Sequence, residues 1–287
     1  MHIWNMDETG LQFSHVPGKI VARKGSRYVQ ARISGNRETI TIMACGNAAG
    51  QMLAPNVIFK GKTAASLQSV DSNRAPPGTT VSVSESGWTK QGIATLWFKK
   101  SFLPAIGRVR PQVLISDGHN SHNFLELVEL ARENNIKLVE LPEHTSHWLQ
   151  PLDRSCFKTL KSSWNRLCQN FSNQNPGRII NKSCFFEIFT PTWQSISPEH
   201  LINGFRSCGI YPFDPSIIPP EAFLPSTTTI ATVIADIADP TPCSDVPLSE
   251  SNKFSSADEQ STNILLFFMI CFPHITFTSK WSIHICL

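Results

Sequence analysis

Apolar and polar positions alternate or cluster along the first half of the chain in short blocks that read as strands and helices. His2 to Met6 reads as a first strand ending at Asp7, so the chain opens almost inside a core element. Arg27 to Ile33 offers a short strand. Thr39 to Cys45 (TITIMAC) is β-branched and apolar, a strand by composition. Gly46 to Gly50 then reads as a turn and Met52 to Phe59 as the returning strand, which predicts an antiparallel meander. Asp71 to Thr80 is rich in Pro, Ser and Gly and reads as a loop. Gln91 to Phe102 has helical spacing, with Ile93, Leu96, Trp97 and Leu103 on one side. Gln112 to Ser116 (QVLIS) is a buried strand ending at Asp117. Asn123 to Asn134 is an amphipathic helix, Ile136 to Leu141 a strand closed by Pro142, and Pro151 opens a helix that runs to about Phe171. A meander followed by strand–helix–strand crossovers gives an α/β class: a mixed β-sheet flanked by helices.

The pattern then changes. Residues 221–263 are dominated by Ser, Thr, Pro and Asp and read as a disordered linker. Residues 264–287 form a short apolar tail. Its run from Ile264 to Phe272 stops at Pro273, well short of the roughly 20 residues that span a bilayer. The organisation expected is one folded domain over residues 1–220, the linker, and the tail. No membrane association is expected. No signal peptide opens the chain, because Met1 leads directly to Asn5, Asp7 and Glu8.

Eight cysteines are scattered with no C-x-x-C pair, which excludes a zinc ribbon and gives no disulfide framework. Net charge is only +3, so whole-chain charge says little about a polyanionic partner. Its distribution says more. Between Met1 and Thr63, Lys19, Arg23, Lys24, Arg27, Arg32, Arg37, Lys60 and Lys62 face only Asp7, Glu8 and Glu38. That is a basic segment suited to a phosphate backbone, or an ordinary solvated face.

Three carboxylates stand where elements end: Asp7, Asp117, and Asp153 in the first turn after Pro151. Crevices beyond strand ends are where sites form in such sheets. Carboxylate oxygens are hard ligands suited to Mg²⁺ or Mn²⁺. Each Asp taken singly also reads as a turn residue or a helix cap. The pairs His119/His122 and His144/His147 have H-x-x-H spacing. They admit a zinc reading, a supporting role toward carboxylates or phosphates, or plain loop packing. Trp148 could stack on a base or belong to the core. Lys158, Lys161 and Arg166 follow Asp153 along one helix, toward phosphate or solvent.

Four strings taken together carry a resemblance. NMDETG at Asn5 to Gly10, SDGHNSH at Ser116 to His122, LPEHTSHWLQPLD at Leu141 to Asp153 and GFRSCGIYPFDP at Gly204 to Pro215 occur in this order. They resemble the DDE-type transposases of the pogo, Tigger and jerky group, over roughly Met1 to Pro220. The resemblance implies a ribonuclease H-like fold and two-metal cleavage and strand transfer on DNA, with two Mg²⁺ or Mn²⁺ ions as cofactors. It places the metal-binding catalytic carboxylates at Asp7, Asp117 and Asp153. Beside them, His119, His122, His144 and His147 are read as supporting residues and Lys19, Arg23, Lys24, Arg27, Lys158 and Lys161 as DNA-binding. A nuclear location and a homodimer are also expected. Glu143 stands where proline is frequent in the group. The group carries helix-turn-helix modules ahead of the catalytic domain. This chain starts without space for them and reads as a fragment or truncated gene product. The rival expectation is a transposase-derived protein reused for DNA or chromatin binding without catalysis, or an inert remnant.

Overall fold

The structure, a computed structural model, describes residues 2–14, 24–25, 35–117, 125–141 and 145–219, together with two short strands near the C-terminus. By contacts the chain divides into two units, Met1–Ile217 and Ile218–Leu287. The second holds β7 (Ile275–Phe277) and β8 (Ile283–Ile285), an antiparallel pair.

The first unit is built on one mixed six-stranded sheet. Its strands are β1 (Ile3–Gln12), β2 (Thr39–Asn47), β3 (Asn56–Lys60), β4 (Thr80–Ser84), β5 (Gln112–Asp117) and β6 (Ile136–Leu141), in the order β4-β3-β2-β1-β5-β6. β1, β2 and β3 form the antiparallel meander, and β5 and β6 add in parallel beside β1. This is the ribonuclease H-like mixed sheet expected from the element order. β4, parallel to β3, is an extra edge strand that the loop-rich sequence before it conceals.

β1 is longer than its sequence suggests. Asp7 does not end it. Glu8-Thr9-Gly10 reads as a turn, yet the strand continues to Gln12, paired residue for residue with β2 from Trp4↔Asn47 to Gln12↔Thr39. Cross-strand pairing overrides the local turn preference. Gly10 is required by close approach: a Cβ there would lie 2.8 Å from Thr39 Cγ2.

Helices cover both faces. On one lie α1 (Gln91–Trp97), which continues through a wide turn at Phe98–Phe102 into α2 (Leu103–Ala105), and α3 (Leu125–Glu133). Trp4, Met6, Met43, Cys45 and Leu114 from the sheet pack there with Trp97, Phe98, Phe102 and Leu127. The other face receives α4 (Ser146–Leu149), a wide helical turn at Leu152–Cys156, α5 (Phe157–Gln174), α6 (Phe185–Trp193) and α7 (Pro198–Ser207). Its core joins Leu11, Phe13, Ile40, Ile42, Val57 and Phe59 to Leu160, Trp164, Phe185 and Phe189. Phe185 is the hub, with ring centroids of Phe189, Phe186, Phe59 and Trp164 at 5.0, 5.1, 5.3 and 5.5 Å. Burial of each such ring contributes about 1.5–3 kcal/mol, so this layer anchors the helices that flank the site. The sequence periodicity does not announce α6 and α7. The expected strand at Arg27 to Ile33 lies outside the described residues.

Candidate metal and nucleic-acid site

The odd-numbered face of β1 carries apolar Leu11, continued by Phe13 just beyond the strand, but is polar at Asn5 and Asp7. Neither is at the surface: Asn5 is 0% and Asp7 7% exposed. An ionised carboxylate in such a position is destabilised by lost hydration unless something compensates. Asp7 Oδ1 accepts the Glu8 backbone N–H at 2.7 Å, while Oδ2 is buried with no hydrogen-bond partner.

Two more carboxylates approach it. β5 runs parallel to β1 with Asn5 opposite Ile115, and two residues later each strand carries an Asp, Asp7 and Asp117. Asp153 comes from the wide turn behind Pro151, which starts the helical run on the same face. The Asp7 carboxyl is pushed well above the usual carboxylate range, first by burial, then by the negative charge of Asp153, and further by Asp117. The Glu8 N–H and the nearby Gln150 amide act in the opposite direction. The Gln150 contact stops short of hydrogen-bond geometry, since Gln150 Nε2 is likewise buried without a partner. The Asp153 carboxyl is also raised, by desolvation and by Asp117, against the lowering effect of Lys161. By surface area Asp153 is exposed; neighbouring groups wall it closely enough to strip part of its hydration.

The three aspartates therefore feel one another's charge. Among the described residues, no three His, Cys, Asp or Glu side chains stand close enough together to hold one metal ion. Asp153 lines a pocket of about 660 Å³ with Ser146, His147 and Arg154. A hard dication fits what is present: oxygen donors only, mutual carboxylate repulsion, and an Asp7 oxygen with no donor.

Of the other residues singled out from sequence, His147 is exposed on α4 at the pocket, its ring 5.4 Å from that of Trp148. Lys158 and Lys161 are exposed on α5, and Lys24 is exposed in a turn. His119, His122 and His144, with Lys19, Arg23 and Arg27, lie outside the described residues. Sequence reasoning missed Arg154. Its guanidinium lies 5.6 Å over the Trp148 ring and donates to the backbone carbonyls of His147 and Ser207, both at 3.4 Å. It thus ties α4 to α7 around the pocket, and its position beside Asp153 was the available signal. Asn5 and Gln150 were also passed over, although both lie inside the motif strings.

The DDE superfamily endonuclease profile matches residues 37–205, a span that contains Asp117 and Asp153 and begins after Asp7. The chain is 30% identical over 227 residues to the MFS-type transporter clz9 of Cochliobolus lunatus, covering 75% of this chain and 24% of that protein. It is 27% identical over 220 residues to the pogo transposable element with KRAB domain of Mus musculus, covering 72% of this chain and 35% of that protein. The chain thus spans about a quarter to a third of the length of these relatives. No described helix is long and apolar enough to cross a membrane. Among solved structures, a pre-cleavage Mos1 transpososome overlaps with a TM-score of 0.48 at 12% identity, over 72% of this chain and 52% of that one.

Proposed function

Because the chain belongs to the DDE superfamily endonucleases, we propose that it is a metal-dependent DNA-cleaving and strand-transferring domain of the pogo group, with Asp7, Asp117 and Asp153 as its metal-holding carboxylates. The observation that carries this reading is a buried Asp7 oxygen that no donor reaches, on a carboxyl whose proton affinity is raised by burial and by the charges of Asp153 and Asp117. Buried charged groups are ordinarily paired or coordinate a metal ion, and strongly perturbed carboxylates cluster at functional sites.

Two Mg²⁺ or Mn²⁺ ions, when bound, supply the positive charge that stabilises an entering and a departing oxygen at phosphorus. Asp7, Asp117 and Asp153 would be the residues that hold these ions. The phosphodiester lies in the open pocket beside Asp153, with Lys158 and Lys161 toward the backbone. In the first reaction a water oxygen bonds to phosphorus and the bond to O3′ breaks, leaving a 3′-hydroxyl and a 5′-phosphate. In the second, that 3′-hydroxyl attacks a phosphorus of another duplex and displaces its O3′. Residues 1–220 form the catalytic domain in this reading, DNA is the partner, the nucleus is the site of action, and a homodimer remains the expectation of the resemblance. His147 supports the site from the pocket rim.

The test is nicking of labelled duplex DNA by the purified chain with no divalent ion, Mg²⁺ or Mn²⁺, beside Asp117→Ala. Nicking should require the ion and fall to background in the variant. DNA binding should survive the substitution and weaken steeply with salt, as counterion release dictates. Salt-sensitive binding with no nicking under any ion would refute the enzyme and favour a DNA-binding protein derived from one.

A further inference from the structure

Asn5 touches all three segments that carry the aspartates. It lies on β1 two residues before Asp7, on the same face. Its Nδ2 donates to the Ile115 carbonyl of β5 at 3.1 Å, two residues before Asp117. The same Nδ2 donates to Gln150 Oε1 at 3.2 Å. Its Oδ1 accepts the Leu152 backbone N–H at 3.1 Å, one residue before Asp153. One fully buried amide therefore joins β1, β5 and the start of the helical run.

The chemistry of each contact explains why an amide stands there. Leu152 N–H is among the first donors of a helical run that begins at Pro151, and such donors have no acceptor within their own helix. Asn5 Oδ1 supplies one from the sheet, acting as a cap across space. An apolar side chain at this position would pack against the same core but leave that N–H buried and unsatisfied. Only a side chain with both a donor and an acceptor meets the Ile115 carbonyl and the Leu152 N–H at once. Gln150 extends the arrangement. It is 0% exposed, its Oε1 is held by Asn5, and its Nε2 is left free on the side of Asp7.

We infer that Asn5 and Gln150 are positioning residues: a buried amide clamp that fixes the spacing of the three segments that carry the aspartates. The inference rests on the metal-holding role proposed above for those aspartates. Groups that orient ligands without touching the metal typically change its affinity by roughly 10- to 100-fold when removed.

The test is Mn²⁺ binding to the full chain without DNA, read from the loss of the free-ion electron paramagnetic resonance signal. The variants are Asn5→Ala and Gln150→Met, with Asn56→Ala as a matched control. Asn56 is also a buried asparagine; it lies on β3, and its Oδ1 accepts from Ser82 Oγ at 3.0 Å. It belongs to none of the aspartate-bearing segments. Asn5→Ala and Gln150→Met should weaken Mn²⁺ binding by roughly 10- to 100-fold, while Asn56→Ala binds as wild type even where thermal unfolding shows a similar loss of stability. Should Asn5→Ala fail to fold, Gln150→Met, which preserves side-chain volume, decides alone. Binding by both amide variants equal to that of Asn56→Ala would overturn the clamp and leave the metal site standing. No Mn²⁺ binding by wild type, or equal binding by Asp117→Ala, would overturn the metal reading and the clamp with it.

Discussion

Burial of a carboxylate raises the free energy of its ionised form, and at Asp7 two neighbouring carboxylates add to that cost. Its folded-state pKa therefore lies above the unfolded value of about 3.9. Between those two values the native state binds more protons than the unfolded one, so stability falls as pH rises through the window. Above it, wild type carries the full cost. Asp7→Asn removes the charge, keeps the shape and retains an acceptor for Glu8 N–H. Without divalent ions this variant should melt higher than wild type at pH 7, and the gap should close as pH approaches about 4. Thermal unfolding across pH measures this; a gap that widens on acidification would exclude the assignment. The aspartates stand out in sequence through the motif strings that contain them, although Asp7, expected at the end of its strand, lies inside it. Asn5 and Gln150 do not stand out, because an uncharged amide reads equally well as core or turn until its partners from distant segments are known.

Among the elements, the wide turn at Leu152–Cys156 depends most on its neighbours. Gly204 of α7 packs directly on it: a Cβ there would collide with the Pro151 carbonyl oxygen. Ser155 Oγ also donates to the His200 carbonyl, so α7 grips the turn on both sides of Asp153. Gly204→Ala should push the turn off α7. It should lose about 1–3 kcal/mol of stability by overpacking, measurable in urea unfolding, and lose Mn²⁺ affinity as well. Unchanged stability would mean that α7 yields freely and does not support the site. That dependence could not be read from the chain itself. In α6 Phe185, Phe186, Ile188, Phe189, Thr192 and Trp193 are all buried. Glu187 and Pro191 share its exposed side, so the helix is amphipathic, but it is short and Pro191 inside it reads in sequence as a helix breaker. The strands β2, β5 and β6 and the helices α1, α3 and α5 were legible because each has one wet and one dry side, or ends at a Pro or a polar turn.

At the scale of the molecule, the sheet carries a core on each face, and both cores close within residues before Ile217. Limited proteolysis should accordingly yield a resistant fragment ending near Ile217 to Pro220, with the melting temperature of the full chain. Cleavage that instead destroys the fold would show that the C-terminal segment is part of its stability. The overall architecture was legible because element order constrains a mixed sheet to few topologies. The basic character of the first segment was legible too. Which of those cations share a surface was not, since charge along a chain does not fix direction in space.

Successive residues of β1 face opposite helical layers. Trp4 and Met6 belong to the α1 and α3 side; Leu11 and Phe13 belong to the α5 and α6 side, with Asn5 and Asp7 in the same phase. One residue gained or lost within this strand would exchange the two sets beyond that point, sending a carboxylate among tryptophans and a methionine into the pocket. Length changes in β1 are therefore tolerable only in pairs, a parity rule that binds neither the connection between β3 and β4 nor the one between α5 and α6. Over evolutionary time this strand can change its letters but not its count, and it should stay the fixed ruler against which the rest of such chains is aligned.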